Sequence, residues 1–554
     1  MDCSDHSASA RFITIQLEAD NVRPLIVDAL ASGRGKRLAT RDAIGAGPRA
    51  VAGVLEKAGL SPRIALAETV LEGGVEPRAH DLLLVSGMTS DLTAVRRVVS
   101  RWRAEAEGPV LIGGPATSDP ERALRKTLGD VAVIGEGEPA LMELLERGLS
   151  RGQLPEDLTE TRGIAYFEGE GVRMNPLRPV MDRLTFDGME PSTRTVKDYP
   201  LHLSARVYVE VLRGCSNYHR AQLLLPEGAC EGCGSCRSGS LEDRYDCPEG
   251  VPPGCGYCSV PSLFGPPKSR SAEKIVKEVE ELLSMGVRRI VLSAPGFLDY
   301  GRDLLVEPHP LTDPRSPEPN YWAVEELLSR LSGIDRVAEG EASVMIENLK
   351  GELVTEKAAD LMGLYLTGTT VNVGFETGSP RHSALIGRAS TPSENLEAVR
   401  RLKRVGLKPY VYFIHGLPGR NPETVEDTVR SIRGSVRAGA SRIILYRFQP
   451  LPMSAFHGSP GAPPAMKDLL SKRIYDEAFK ANASLKEDLV GKTLRVVIAE
   501  AYDRDPRFHV AYPMLHGPVV LVEGAGGLEG EVAEIQVTGV VSDRMVRGFL
   551  RVRD

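Results

Sequence analysis

Seven of the eight cysteines of the chain lie within one short stretch, residues 207–270. They form two interleaved sets, with the inner set placed in residues 216–254. The outer set is Cys215, Cys255 and Cys258, and the inner set is Cys230, Cys233, Cys236 and Cys247. No secretory signal precedes them, and clustered C-x2-C pairs in such a chain are typical of metal binding rather than of disulfides. The sequence therefore predicts two metal centres.

The two sets differ in how many ligands they offer. The inner set runs C-x2-C-x2-C with a fourth cysteine before Pro248, which is the ferredoxin spacing apart from a longer last gap. Four thiolates can close the shell of one [4Fe-4S] cluster, and four-thiolate zinc is the alternative. The outer set holds only three irons of a cluster and leaves the fourth open to a substrate. An open iron indicates chemistry, whereas a closed shell indicates structure or electron relay.

The whole chain has the length and charge of a multidomain globular protein. At 554 residues it predicts about three domains. Lys plus Arg number 68 and Asp plus Glu number 75, for a formal charge of -7. The chain therefore has no overall positive charge to attract nucleic acid, and any such contact must come from a local group of basic residues. No apolar run is long enough for a transmembrane helix, and no signal peptide is evident, so we expect a cytoplasmic protein without a membrane partner.

Residues 11–150 alternate short apolar runs with amphipathic helical segments, which predicts a doubly wound, Rossmann-like α/β domain. Three of the predicted strands end in small residues. These ends contain Ser86, Gly87 and Thr89, then Gly113 and Gly114, then Gly135, Glu136 and Gly137. Ligands of such sheets bind at the carboxyl ends of the strands, where glycine lets the backbone approach closely. We expect these residues to line one crevice.

This segment resembles the cobalamin-binding domain that precedes many radical S-adenosylmethionine (SAM) enzymes, in its GG-P and GEGE strand ends. The resemblance implies that the crevice binds cobalamin. The D-x-H-x-x-G motif, which coordinates cobalt in the cobalamin domains of mutases and methionine synthase, does not occur in the chain. If cobalamin binds, that histidine does not hold its lower face. A domain that serves only as scaffold is the alternative.

After a proline-containing linker at 151–200, six strand candidates separated by helices occupy residues 201–488. The strands are predicted at 205–212, 288–293, 342–346, 369–375, 409–415 and 441–447, and the intervening helices include Ala272 to Met285, Ala323 to Leu331, Glu394 to Val405 and Glu423 to Arg437. Cysteines directly after the first strand predict a partial parallel (β/α)6 barrel with its site at the carboxyl face of the strands.

The barrel resembles the radical SAM superfamily on specific residues. The usual motif is C-x3-C-x2-C with an aromatic before the last cysteine; here Arg213-Gly-Cys215 gives the first part and Cys255-Gly-Tyr257-Cys258 the second. The insertion at 216–254 departs from the compact spacing and makes Cys247 the rival first ligand. We favour Cys215 because of its strand-RGC context and because it leaves four cysteines together.

The resemblance also implies roles for residues after other strands. A [4Fe-4S] cluster would chelate SAM, and one-electron reduction by a donor such as ferredoxin or flavodoxin would cleave it to a 5'-deoxyadenosyl radical. The implied cofactor contacts are Ser293, Pro295 and Gly296 near the amino group of SAM, Phe413 and Gly416 near its adenine, and also Tyr257 and Gln449. Glu376 is implied to contact SAM or substrate as a catalytic residue, and a helix-capping carboxylate is the alternative.

From residue 489 to 554 the pattern changes to short strands with turns, which predicts a small β-barrel. It resembles the TRAM domain of tRNA methylthiotransferases, which implies RNA binding through a local face. That face would include Lys492, Arg495, Arg544, Arg547 and Arg551. The alternative is a barrel that only closes the active site.

Together these features predict a radical SAM enzyme that modifies RNA, with tRNA as the expected class, by methyl or methylthio transfer to an unactivated carbon. Cobalamin would carry a methyl group; without cobalamin, the auxiliary cluster would bind or donate sulfur. A radical SAM enzyme that acts on a lipid or small cofactor, with a structural tail, is a second candidate. A non-catalytic iron-sulfur protein that binds RNA is a third, although it would have no need of an open iron.

Overall fold

The computed structural model describes residues 22–226, 228–230 and 232–551. Three sequence predictions fall partly outside this range. They are the start of the first domain at residue 11, the eighth cysteine, Cys3, and residues 552–554 of the tail.

The amino-terminal domain is a seven-stranded sheet with helices on both faces. Its strand order is β3-β1-β4-β5-β6-β7-β8, and the first five strands are parallel. The elements are β1 Pro24–Asp28, β2 Ala43–Ile44, α1 Ala46–Lys57, β3 Arg63–Leu66, α2 Ala67–Leu71, β4 Leu82–Ser86, α3 Leu92–Glu105, β5 Val110–Gly113, α4 Pro120–Thr127, β6 Val131–Val133, α5 Gly137–Glu146, β7 Ile164–Glu168 and β8 Gly171–Met174. The run Leu-Leu-Leu-Val of β4 is fully buried, as a strand covered on both faces requires. The predicted doubly wound domain is confirmed.

The segment predicted as a linker, residues 151–200, is more structured than that prediction. It contains the β7–β8 hairpin, which pairs antiparallel to β6 and extends the sheet, and the short helix α6 Arg183–Asp187. The prolines at 176, 179 and 191 led us to predict a linker, but they follow the hairpin, whose alternating Ile164-Ala-Tyr-Phe run forms its first strand.

The central domain is a partial parallel barrel. Its strands are β9 Arg206–Glu210, β10 Leu212–Arg213, β11 Lys268–Ser269, β12 Arg289–Ser293, β13 Ser343–Ile346, β14 Asn348–Leu349, β15 Thr370–Glu376, β16 Lys408–His415 and β17 Arg442–Arg447. Two four-stranded sheets, β2-β9-β12-β13 and β14-β15-β16-β17, form the wall. They meet at Glu347, whose carbonyl accepts the amide of Asn372 at 2.9 Å. The third predicted strand, 342–346, is thus β13, and β14 follows it after a break at Glu347. In addition, β2 of the first domain pairs with β9 as an added edge.

Most helices of this domain cover the outside of the barrel. The helices are α7 Ser235–Ser238, α8 Val260–Phe264, α9 Ala272–Ser284, α10 Tyr321–Ser332, α11 Asp335–Ala338, α12 Glu356–Leu366, α13 Pro380–Leu385, α14 Pro392–Arg404, α15 Pro422–Ala438 and α16 Leu469–Glu487. The start of α14 is fixed by a capping box between Thr391 and Glu394 with proline at the first turn. One apolar core runs between these helices, the barrel strands and the first sheet.

The tail is a closed five-stranded barrel with the order β18-β19-β20-β22-β21. Its strands are β18 Thr493–Ala501, β19 Phe508–Pro513, β20 Val519–Glu523, β21 Val532–Ser542 and β22 Met545–Leu550. It packs under the amino-terminal ends of the central strands, where Ser343 donates to the carbonyl of Met514 at 2.7 Å and Thr370 contacts His516 at 2.7 Å. The tail thus lies at the end of the central barrel opposite its carboxyl face.

In the described residues, none of the helices combines the length and the apolar composition that crossing a bilayer requires.

Candidate functional site

Three cysteine thiols come together at the carboxyl end of β9. Cys215 follows β9 and β10 directly, and Gly214 has a φ of +88° where a Cβ would lie 2.2 Å from the carbonyl oxygen of Pro266. Only glycine fits this turn, which aims Cys215 toward Cys255 and Cys258. All three thiols are free and half-buried. Burial first, and then the neighbouring Cys255 and Cys215, raise the pKa of Cys258 to about 12.

Asn217 supports this set of sulfurs. Its backbone amide donates to Cys215 Sγ at 3.4 Å, and its side-chain amide donates to Cys255 Sγ at 3.3 Å. Hydrogen bonds to the sulfurs are one means by which proteins set cluster potentials. Sequence reasoning missed Asn217, although its position two residues after Cys215 was a signal that could have drawn attention to it.

The inner cysteines form a separate group. Burial, and then Cys236, raise the pKa of Cys230, with smaller contributions from Cys247 and Cys233. Cys247 therefore lies with the inner set, and Cys215 lies with Cys255 and Cys258. The walls of the surrounding cavity, about 120 Å³, include all four inner cysteines.

The chemistry of these donors suits iron-sulfur clusters. Soft thiolates are the ligands such clusters use, and each set has the ligand number expected for its role. Within the described residues, no three His, Cys, Asp or Glu side chains are arranged to hold a single metal ion, whereas a cluster spreads its thiolates over several irons. The three thiols Cys215, Cys255 and Cys258 would hold the SAM-binding cluster, and the inner four would hold the second centre.

Glu376 lies beside the outer cysteines in a strained backbone conformation. Its φ is +63°, and β15 is irregular at this residue. The Arg388 guanidinium lies 3.5 Å from Glu376 Oε1 and donates to the Tyr257 hydroxyl at 3.1 Å. Burial raises the pKa of Glu376, against the opposing charge of Arg388. A strained, buried carboxyl next to the predicted cluster is typical of functional sites.

A buried ion cluster supports the other side of Cys215. Lys350 donates to Ser216 Oγ at 2.7 Å and to Asp299, and Arg302 also donates to Asp299. Gly296 makes room for this lysine, because a Cβ there would lie 3.0 Å from Lys350 Cε. Sequence reasoning missed Lys350 and Asp299, since neither belongs to a recognisable motif. Their position just beyond the carboxyl ends of barrel strands was the available signal.

The lumen above these groups is lined by tyrosines. The rings of Tyr412 and Tyr446 are stacked, with centroids 5.4 Å apart and planes 1° apart, and Tyr446 is 54% exposed. The electrostatic neighbours of Tyr446 include Glu347 and Glu376. Glu347 accepts a hydrogen bond from Ser293 Oγ at 3.3 Å. The stacked pair thus forms an aromatic shelf between two carboxyl groups.

The other predicted SAM contacts lie around the same carboxyl face. Phe413 is fully buried against Phe375, with ring centroids 5.1 Å apart, so the neighbouring Tyr412 is the ring of β16 that faces the lumen. Gly416 lies directly after β16 with a φ of +78°, and Gln449 is exposed shortly after β17. Pro295 is half-buried after β12.

A cleft of about 270 Å³ lies between the first sheet and the central barrel. Six predicted residues line it: Ser86, Gly113, Gly114, Gly135, Glu136 and Gly137. Nothing lies within 4 Å of a Cβ built on Gly113, so its backbone faces open space. Gly87 and Thr89 are outside this lining, and no histidine is among the described residues that form it. Ser293 also lines the cleft, which joins it to the predicted SAM contacts.

Buried ion pairs fix this cleft to the barrel. Arg213 donates to Glu138 at 2.7 Å and to Glu210 at 2.8 Å, and Lys268 lies 2.9 Å from Glu136. The carboxyl groups of the GEGE loop therefore bind barrel cations. A backbone edge of glycines beside an apolar wall suits a flat ligand such as cobalamin, and the polar groups around it are already paired.

Two descriptions of known families match the chain. Residues 246–432 match "Radical SAM superfamily", and residues 39–145 match "B12 binding domain". The radical SAM match begins after Cys215 and includes Cys247. In the structure, however, Cys215 and not Cys247 lies with Cys255 and Cys258. The chain therefore has a radical SAM domain preceded by a B12-binding domain, and it is an enzyme.

Two uncharacterized proteins match the chain over nearly its full length, and a named enzyme matches about half of it. The chain is 43% identical to an uncharacterized protein of Methanopyrus kandleri, with 95% of each chain covered. It is 40% identical to an uncharacterized protein of Methanocaldococcus jannaschii, covering 93% of this chain and 96% of that protein. It is 26% identical to the tRNA-2-methylthio-N(6)-dimethylallyladenosine synthase of Pelotomaculum thermopropionicum, covering 50% of this chain and 58% of the synthase.

A solved structure shares the fold. The radical S-adenosylmethionine methyltransferase TsrM from Kitasatospora setae, with cobalamin and a [4Fe-4S] cluster bound, superposes with a TM-score of 0.55 at 16% identity, covering 79% of this chain and 74% of that chain. At this identity the likeness concerns the fold alone.

Proposed function

We propose that this enzyme transfers a methyl or methylthio group to an unactivated carbon of an RNA base, with tRNA as the substrate class. The observation that carries this proposal is the shelf formed by Tyr412 and Tyr446, half-exposed near Glu376, whose carboxyl group is in turn a neighbour of Cys258. Proteins bind unstacked bases on such aromatic faces, at about 1–3 kcal/mol per base. The name of the Pelotomaculum thermopropionicum relative supports a tRNA substrate.

The residues around the shelf would divide the work of binding and orientation. A [4Fe-4S] cluster and SAM, when bound at the outer thiols, supply one-electron cleavage of SAM. Asn217 orients the sulfurs through its two hydrogen bonds. Arg388 holds Tyr257 and Glu376 in place. Glu376 would contact SAM or the substrate. Ferredoxin or flavodoxin would supply the electron, which agrees with the expected cytoplasmic location.

The cleft lined by glycine backbone would hold cobalamin. Bound cobalamin supplies a methyl carrier. Ser86, Gly113, Gly114 and Gly135 would contact its face, because their backbones border the open space of the cleft. The adjacency of the cleft to Ser293 would bring a carried methyl group close to the lumen. No histidine would coordinate the lower face, since none of the described residues around the cleft is a histidine.

The inner cysteines would hold a second [4Fe-4S] cluster. Cys233 is exposed, whereas the other three thiols are half-buried, so this centre lies near the surface. A surface position suits electron entry, and it also suits binding of a sulfur donor in methylthio transfer. Four-thiolate zinc is the alternative at this centre.

A second candidate function follows from the position of the tail. The tail packs under the central barrel, and its contacts there are those of a structural domain that covers the amino-terminal ends of the barrel strands. A radical SAM enzyme that acts on a lipid or small cofactor would need no more from it. The aromatic shelf would then bind a planar small molecule.

Mass spectrometry of tRNA nucleosides separates these functions. A strain lacking the protein should lose one methylated or methylthiolated nucleoside, and the unaltered gene should restore it. A gene encoding both Cys255→Ala and Cys258→Ala should not restore it. This control would show that the nucleoside depends on the activity of the enzyme and not only on the presence of the chain. An unchanged nucleoside profile would exclude tRNA and favour the small-molecule function.

A further inference from the structure

A second cavity lies at the opposite end of the central barrel, between its base and the tail. It has a volume of about 550 Å³. The start of β16, the start of β17, the end of α16 and the start of β18 border it. Six cations line it: Lys403, Lys408, Arg442, Lys486, Lys492 and Arg495. We call this space the basal cavity.

The protein balances these charges only in part, since Asp543 acts on Lys486 from outside the lining. Asp488 is the one carboxylate among the described residues that line the basal cavity. In the described part of the chain, none of the six cations has a carboxylate within ion-pair distance. Arg495 donates to the carbonyl of Gly340 at 2.7 Å, a neutral acceptor. Six positive side chains from several elements thus surround one space.

Lys486 is the most informative of the six. It is only 6% exposed, so most of its side chain is packed against the walls of the cavity. Burial first, and then the charge of Arg442, lower the pKa of Lys486 to about 8, so it is mainly charged at neutral pH. The Nε of Arg442 is itself buried with no acceptor in the described residues. Buried cations without anionic partners are unfavourable unless a ligand provides the anion.

We propose that the basal cavity binds the phosphate groups of a ligand, either the backbone phosphates of RNA or those of a free small molecule. Lysines act as point charges for phosphate, and Arg442 and Arg495 add directional donors. The volume lies in the range of small-ligand sites, about 300–1,000 Å³. Tyr410, Leu489 and Leu515 give the cavity an apolar wall for the organic part of the ligand.

The bound ligand takes no part in the radical chemistry. Lys408 begins β16 at the basal cavity, and His415 ends it at the carboxyl face. At about 3.3 Å per residue, the strand separates the two ends by roughly 20 Å. A phosphate in the cavity instead joins the tail, through Lys492 and Arg495, to Lys408 and Arg442 of the barrel. The site therefore couples ligand binding to attachment of the tail.

The test is calorimetric titration of the full-length protein with inorganic pyrophosphate, without SAM or reductant. Because turnover is not measured, this test is independent of the proposed function. The unaltered protein should bind pyrophosphate, and Lys486→Met should bind it about tenfold or more weakly, since a charged hydrogen bond is removed. Lys480→Met, at an exposed position on the same helix, is the matched control and should bind normally.

A second variant guards against a folding defect. Lys492 is exposed at the rim, so Lys492→Ala should fold normally and also bind pyrophosphate more weakly. Thermal denaturation should give both variants a melting temperature at least equal to that of the control. The proposal would be overturned if both variants bound pyrophosphate with the full affinity of the unaltered protein. It would also be overturned if the unaltered protein did not bind pyrophosphate and its affinity for RNA did not change in either Lys486→Met or Lys492→Ala.

Competition with a tRNA transcript then distinguishes the two sources of phosphate. If RNA displaces pyrophosphate and binds Lys486→Met more weakly, the ligand is the RNA backbone. If RNA leaves pyrophosphate bound and binds Lys486→Met normally, the ligand is a free phosphorylated molecule.

Discussion

Tyr446 offers the sharpest single-residue test of the aromatic shelf. Its ring is stacked on Tyr412 and half-exposed to the lumen. Tyr446→Ala should raise the KM for the RNA substrate about fivefold or more, because stacking of a base contributes about 1–3 kcal/mol. SAM cleavage without substrate should stay unchanged, since the outer thiols are untouched.

Two variants define the outcome of that experiment. Tyr446→Phe keeps the ring and should restore most of the affinity. Tyr475→Ala removes another stacked, exposed tyrosine, on α16, and should leave the KM unchanged. If Tyr446→Ala also leaves the KM unchanged, the shelf does not bind the substrate.

The buried charge of Lys486 predicts how stability depends on pH. Its folded pKa is about 8, and the ordinary pKa of lysine is about 10.4. Between these values the unfolded chain keeps a proton that the folded chain has released, so the free energy of unfolding rises with pH. Below pH 8 both states are charged, and the folded state bears the full cost, of the order of 3 kcal/mol.

Lys486→Met should therefore raise the melting temperature at pH 7 and reduce the rise in stability between about pH 8 and 10. The charges that act on this lysine, Arg442, Asp543 and Arg544, remain in the variant. Chemical denaturation of both proteins at several pH values measures the difference, with Lys480→Met as control. A lower melting temperature for Lys486→Met at pH 7 would contradict the predicted cost.

At the scale of structural elements, the insertion between β10 and β11 predicts how iron is distributed. Anaerobic reconstitution should give about eight irons per chain, four at each centre. Changing Cys230 and Cys233 to Ser should leave about four irons and intact SAM cleavage. Changing Cys255 and Cys258 to Ser should also leave about four, but abolish SAM cleavage, because the open iron is lost.

Cys3→Ser is the control and should retain all the iron. Elemental analysis together with a SAM cleavage assay provides both measurements. Four irons and one zinc in the unaltered protein would assign the inner set to zinc instead.

The elements were largely predictable because their patterns are local. Apolar runs ending in glycine gave β4 and β5, and the capped amphipathic run gave α14. Side chains that meet only after folding were not predictable. Lys350 and Asp299 are 51 residues apart, and the pairing of Tyr412 with Tyr446 depends on the register between β16 and β17. The β7–β8 hairpin could not be predicted with the same ease, because the prolines that follow it indicate a linker more strongly than its short alternating run indicates a strand.

The difference between local patterns and side chains that meet only after folding also applies to the predicted RNA face of the tail. Arg495 lies opposite Glu534, and Phe549 lies opposite Gln536, so their side chains share the outward face of the small barrel. Arg544 and Arg547 are also exposed, next to this face. Lys492 and Arg495 border the basal cavity, which no periodicity in the sequence could have shown.

At the scale of the whole molecule, three domains share buried interfaces rather than simple linkers. Asp42 of the first domain accepts hydrogen bonds from Arg206 at 2.9 Å and from Arg289 at 3.1 Å, both at the base of the central barrel. Arg206 and Arg289 hold the pKa of Asp42 well below its usual range, despite its burial. The Arg289 guanidinium lies 5.6 Å from the ring centroid of Tyr512 in the tail. This network joins all three domains.

Removal of residues 489–554 should therefore destabilise the remaining chain rather than release an independent module. The truncation would expose Arg289, which is fully buried, and would break the contacts of Ser343 and Thr370 with the tail. We expect a lower melting temperature and aggregation, because a buried ion network opened to solvent on one side loses its packing. Thermal denaturation and size-exclusion chromatography of both chains test this expectation.

The contribution of the tail to RNA binding needs variants that keep this interface. Arg547→Glu and Arg551→Glu change exposed side chains of the outward face, so the melting temperature should stay the same. Affinity for tRNA should fall, and the dependence of log affinity on log salt should become shallower by about two, since about two phosphate contacts are lost. Arg504→Glu, at an exposed position outside that face, is the matched control.

A truncated chain that stays folded and modifies its RNA at the full rate would show that the tail neither supports the barrel nor binds the substrate.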